Sequence, residues 1–157
     1  DLNQLVDNVF ATASLREDAK NAQLLSSIPD GFSLVTDKKL LNSILQNLVD
    51  NAIKYADPAK ERCIISIGAI QNAETFVITV EDNGKGIPDD EQHLLFNKFF
   101  QAKNQTLKKP IGSGLGLAIC KRIVELHHGE IHLRSKIDEG TALSFFIPNF
   151  TTENKLK

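Results

Sequence analysis

From Leu2, apolar residues return at helical spacing, with Leu5, Val9 and Ala13 in register, and the pattern predicts a helix over residues 2–19. "FSLVT" (32–36) follows a Pro-Asp-Gly turn signal and predicts a strand. Asp37 is placed to cap a long helix that runs to about residue 56. Around that helix, Leu41, Ile44, Leu45, Leu48, Ala52 and Ala56 fall on one side. "CIISIGAI" and "TFVITVED" are β-rich and separated only by "QNAE", so they predict a hairpin. Residues 89–97 suit a short helix. Residues 115–128 suit an amphipathic one, with Leu115, Ile119, Ile123 and Leu126 on one side. "GEIHLRS" and "GTALSFFIP" predict two closing strands, the second with Leu143, Phe145 and Ile147 on one face. Strands that come in pairs, instead of alternating with helices, favour an α+β two-layer α/β sandwich. Its mixed sheet has about five strands with helices on one face.

Composition narrows the classes of function. Acidic and basic residues nearly balance, 20 against 18, which argues against a general nucleic-acid binder. Cys63 and Cys120 are far apart and form no CxxC pair, so they read as two thiols in a reducing compartment. No apolar run approaches the length of a membrane span. The chain lacks Met and starts at Asp1, which leads us to expect a piece of a longer protein.

Three stretches carry candidate chemistry. In "NLVDNAIKY" (47–55), Asn47, Asn51, Lys54 and Tyr55 gather on a helix side that adjoins the apolar one. An amide oxygen suits a hard cation and a lysine suits phosphate, although a solvated helix face has the same composition. In "DNGKGIP" (82–88), a strand runs into two glycines that permit positive φ and close approach of a ligand. Asp82, at the strand end, can accept a hydrogen bond from an exocyclic amine; a glycine-rich turn with an Asx cap is the plainer reading. "GSGLGL" (112–117) opens a helix, where free N–H groups attract anions. It matches neither a Walker loop nor a dinucleotide fingerprint. Between the glycine loops lies a long polar segment, 101–114, with Lys103, Lys108 and Lys109. Loops of that length are usually functional or disordered.

Taken in order, these stretches resemble the catalytic and ATP-binding domain of sensor histidine kinases, in the Bergerat (GHKL) fold, over nearly the whole chain. "NLVDNAIKY" resembles the N box, "DNGKGIP" and "GSGLGL" the two glycine boxes, "LFNKFF" (95–100) the F box, and "GTALSFFIP" the closing Gly-Thr strand. The resemblance implies ATP or ADP as ligand, Mg2+ on Asn51, and Asn47 assisting at metal or phosphate. Lys54 and Tyr55 would line the phosphate and ribose region, with Asn47, Asn51 and Lys54 as the catalytic set. Asp82 would read the adenine amine, Gly84, Gly86 and Ile87 would wall the adenine, and Thr141 would reach it. Gly112, Gly114, Leu115, Gly116 and Leu117 would cradle phosphates and hinge a mobile ATP lid, anchored by Phe96, Phe99 and Phe100. The family's F-box arginine has no match here; Lys98 and Gln101 stand nearby, and the lid lysines offer charge instead.

ATPases of the wider superfamily carry a Glu where this chain has Asn47. An amide cannot take a proton from water, which favours a kinase over a hydrolase. His93, His127, His128 and His132 all follow the N box, so the phospho-acceptor His would lie elsewhere. The resemblance therefore implies partners: a dimerisation and phospho-acceptor domain of the same protein, and a response regulator's receiver domain. It also implies a homodimeric, membrane-anchored parent with this portion cytoplasmic and monomeric when alone. Residues 1–13 would be a linker from the acceptor domain, 14–150 the catalytic domain, and 151–157 a tail. Other readings are an ATPase or anti-sigma-type serine kinase of the same fold, or a nucleotide-binding module without catalysis.

Overall fold

The computed structural model describes residues 1–97 and 116–149. Its elements are α1 (Leu2–Ser14), β1 (Ala22–Ser27), α2 (Lys38–Lys54), β2 (Cys63–Gln71), β3 (Thr75–Asp82), α3 (Asp89–Gln92), α4 (Gly116–Leu126), β4 (Glu130–Lys136) and β5 (Gly140–Pro148), with a 3-10 turn at Glu17–Ala19. The five strands form one sheet in the order β1-β2-β3-β5-β4. β1 runs parallel to β2 and every other pairing is antiparallel. Alternation sends Ile65, Ile67 and Ala69 of β2, Phe76, Ile78 and Val80 of β3, and Leu143, Phe145 and Ile147 of β5 to the covered face. This is the expected two-layer α+β sandwich with a mixed five-stranded sheet.

α2 is the centre of the helical layer. The Asp37 carboxylate accepts from the backbone N–H groups of Lys39 and Leu40 at 2.9 and 3.2 Å, which fixes where the helix starts. Leu41, Ile44, Leu45, Leu48, Val49, Ala52 and Ile53 are buried along it. They leave Asn47, Asn51 and Lys54 half-buried at the rim of the core. α1 and α4 flank α2. Leu2, Leu5, Val6, Val9 and Ala13 of α1 are all buried, so this helix is part of the core that the rest of the domain builds.

Four local expectations need correction. Residues 32–36 are not a strand; the strand of that region is β1, at Ala22–Ser27. Phe32 instead lies edge-on to Phe76, centroids 5.8 Å apart, and its carbonyl accepts from Leu2 N–H. α1 stops at Ser14 and not near residue 19. Of the 89–97 helix, only Asp89–Gln92 is helical. α4 buries Cys120 and Val124, while Ile119 and Leu126, expected on the apolar side, are 46% and 61% exposed.

Candidate functional site

Strand register assembles the site. Ile65 pairs with Asp82, Asp82 with Thr141, and Thr141 with Ser135, giving one row across four strands. Asp82 follows Phe76, Ile78 and Val80 at even spacing, so its carboxylate lies on the helix side, at the end of the buried stripe. A carboxylate there loses water. Burial pushes its pKa up to about 6, against the pull of backbone N–H groups from Gly84 and Thr141 and the charge of Lys60. Gly84 N–H donates to Oδ1 at 2.8 Å.

The loop after β3 is clamped to its surroundings. A Cβ on Gly84 would stand 2.7 Å from the Tyr55 carbonyl oxygen, at the end of α2. Gly86 has φ +71°, and a Cβ there would stand 2.0 Å from the Lys136 carbonyl oxygen. Only glycine lets the chain pass so close to both neighbours. Lys60 Nζ donates to the carbonyls of Asn83 and Asp138, tying the segment before β2 to this loop and to the β4–β5 turn. Gln92 Nε2 donates to the carbonyls of Ile87 and Ser135 at 2.9 and 3.1 Å.

On the helical side, α4 begins beside α2. A Cβ on Gly116 would lie 3.5 Å from Asn47 Oδ1. The Asn47 side chain also meets the Cys120 thiol, which burial pushes up to about 12 and which therefore stays protonated. Lys54 Nζ sits 5.2 Å from the centroid of the Tyr55 ring. Leu117 and Phe96 pack partly against the core, and Lys121 lies over the Phe96 ring. Phe96 is thus a partly buried residue at the edge of the core.

The structure thus brings Asp82, Gly84, Gly86, Ile87 and Thr141 to one end of the sheet, and puts Asn47 and Gly116 side by side where α2 and α4 meet. Phe99, Gly112, Gly114 and Leu115, together with Lys98, Phe100, Gln101, Lys103, Lys108, Lys109 and the expected mobile lid, lie outside the described residues. Among the described residues no group of three His, Cys, Asp or Glu side chains could hold a metal ion. A hard cation at an Asn amide oxygen would take its remaining oxygens from phosphate and water. The donor set fits a ligand with an amine at the sheet end and anionic oxygens toward α2 and α4.

A family model described as histidine kinase-, DNA gyrase B-, and HSP90-like ATPase matches residues 36–151. The chain belongs to this ATPase family. Among curated relatives, the heme sensor protein HssS of Staphylococcus saprophyticus is 32% identical over 143 residues, 91% of this chain and 29% of that protein. The adaptive-response sensory kinase SasA of Synechococcus elongatus is 32% identical over 146 residues, 92% of this chain and 36% of that protein. The chain therefore spans about a third of the length of these relatives. The mycobacterial sensor histidine kinase MprB superposes with a TM-score of 0.80 at 25% identity, covering 95% of this chain and 96% of that one. The catalytic domain of histidine kinase ThkA gives 0.77 at 26% identity, with 94% of each chain covered. It is sensor kinases, within the histidine kinase-, gyrase B- and HSP90-like ATPases, that this chain resembles.

In this ATPase-family chain, three site neighbours escape a reading of motifs. Ser135, Lys60 and Gln92 contact the glycine loop from three different segments. Their only sequence signal is the even spacing of Ser135 with Leu133 and Ile131, which puts it on the covered face of β4. Lys60 and Gln92 give none. Among the described residues, no helix is long and apolar enough to cross a membrane.

Proposed function

We propose that this chain is the ATP-binding catalytic domain of a sensor histidine kinase. It binds ATP or ADP with Mg2+ and presents the γ-phosphoryl group to a His on a separate dimerisation domain, for relay to an Asp of a response regulator. The observation that carries the reading is Asp82: a half-buried carboxylate at the end of an apolar stripe, in the same row as the Thr141 hydroxyl and backed by two glycines that leave room only for backbone. Two acceptors at the sheet end suit the exocyclic amine of adenine. Asn47, Asn51 and Lys54 stand on α2 where phosphates would follow. Mg2+ held by Asn51 would offset charge on the phosphate oxygens. Asn47 cannot take a proton from water, so the chain holds ATP until an imidazole nitrogen attacks in line, and alignment supplies much of the rate. Membership of the ATPase family and likeness to sensor kinases support the same reading.

Calorimetric titration with ATP, ADP and GTP, with and without Mg2+, tests the site. Adenine-selective binding that Mg2+ strengthens and Asp82→Asn weakens by at least ~10-fold is expected. Equal binding of GTP overturns the assignment of the adenine pocket. Label transfer from γ-labelled ATP to a histidine-bearing dimerisation domain of the parent tests the kinase step; steady release of free phosphate without transfer would make the chain an ATPase.

A further inference from the structure

Ser135 is in none of the motifs, yet its hydroxyl is the junction of the site. Its Oγ accepts from the Ile87 N–H at 2.9 Å, donates to the Gly140 carbonyl at 3.0 Å, and lies 2.7 Å from Thr141 Oγ1. A hydroxyl has one proton and two lone pairs. The carbonyl can only accept, so all three contacts are hydrogen bonds at once only with the proton of Ser135 on Gly140. The lone pairs then take the Ile87 N–H and the proton of the Thr141 hydroxyl. Thr141 has spent its one proton on Ser135 and faces the pocket as an acceptor only. Asp82, its neighbour in the row, is likewise an acceptor when ionised.

From this we infer that Ser135 is a positioning residue for nucleotide selection: it fixes the sense of the Thr141 hydroxyl, so that the sheet end presents two acceptors and selects a ligand with a donor amine at purine C6 over one with a carbonyl there. This rests on the adenine reading of the Asp82 site and adds the residue that sets the polarity of its second acceptor. Ser135 reaches the ligand only through Thr141 and Ile87. The Gln92 clamp on the carbonyls of Ile87 and Ser135 holds the same two segments together, so the Ile87 N–H has a fixed target. Removing the Ser135 hydroxyl frees the Thr141 hydroxyl to rotate and donate into the pocket. It can then meet the carbonyl of a 6-oxopurine.

The test is calorimetric titration of the chain with ATP and with ITP, which carries oxygen in place of the C6 amine, both with Mg2+. Ser135→Ala is expected to narrow the ATP-to-ITP affinity ratio by ~5- to 10-fold, as for one hydrogen bond whose partner is left free to turn. Ser135→Thr keeps the hydroxyl and restores the ratio. In a Thr141→Val background, Ser135→Ala should leave the ratio unchanged, since the effect runs through Thr141. Should Ser135→Ala fail to fold, Ser135→Cys fills a similar volume with a poor acceptor and carries the same expectation. Equal weakening of ATP and ITP, or a ratio that shifts as much without Thr141, overturns the inference and makes Ser135 a structural strut. Wild-type chain that binds neither nucleotide overturns the adenine reading itself, and this inference with it.

Discussion

At the scale of single residues, Asp82 links stability to pH and, on the proposed function, to ATP binding. Its pKa in the folded chain, about 6, lies above the ordinary 3.8 because burial disfavours the charged form. Between those two values the folded chain holds a proton that the unfolded chain has released. Stability conferred at this position is therefore greatest below the window, falls as pH rises through it, and is flat above. The thermal midpoint of the ligand-free chain should show that decline, and Asp82→Asn should remove it; the difference between the two profiles isolates this one group. If Asp82 meets the amine of adenine as proposed, the ionised form is the stronger acceptor, so ATP affinity should rise over the same window in which unliganded stability falls. Gly86→Ala tests the backbone beside it. With φ at +71° and the Lys136 carbonyl 2.0 Å from the new Cβ, the substitution should cost ~2 kcal/mol or more. It should also weaken ATP, read by denaturant melts and calorimetry.

Elements were legible where their signals were local. The start of α2 follows from Asp37 alone, and Asp37→Ala should cost about 1 kcal/mol in chemical denaturation. The β2–β3 hairpin follows from two β-rich runs and a short polar turn. β1 was hidden because "AQLLSS" has only two large apolar residues, adjacent to each other, and earns its strand by pairing with β2, including Leu24 beside Ile65. Phe32–Thr36 has the better strand composition, yet Phe32 is drawn to Phe76 and its backbone to the start of α1. Such contacts are tertiary and leave no trace in a short window. α4 is turned by about one residue from the face its apolar spacing predicts: its buried positions are Cys120 and Val124. Val124→Ala should therefore destabilise by ~1–3 kcal/mol, whereas Ile119→Ala should stay within ~0.5 kcal/mol. The site shows the same division. Asp82 and the glycines could be named as candidates because they carry a chemical pattern along the chain. Ser135, Lys60 and Gln92 became visible only through the folding that brings their segments to the loop.

For the molecule as a whole, α1 belongs to the packed core. Its buried face, Leu2, Leu5, Val6, Val9 and Ala13, closes the core beside α2. A chain lacking residues 1–14 should lose its cooperative thermal transition and expose apolar surface to a hydrophobic dye, although every motif remains in it. A linker in the strict sense would be removed without that loss. The order of the strands has a further consequence, for the time course of folding. β2–β3 and β4–β5 are hairpins that can close locally, but β3 and β5 meet across 65 residues of chain at Thr79 and Ser144. Closing so long a loop is slow. Asp82 and Thr141 are partners in that last seam. On the proposed function, a ribosome-bound chain has no purine pocket until β5 has emerged and docked, so nucleotide would not assist the earlier stages and would only lock the finished sheet.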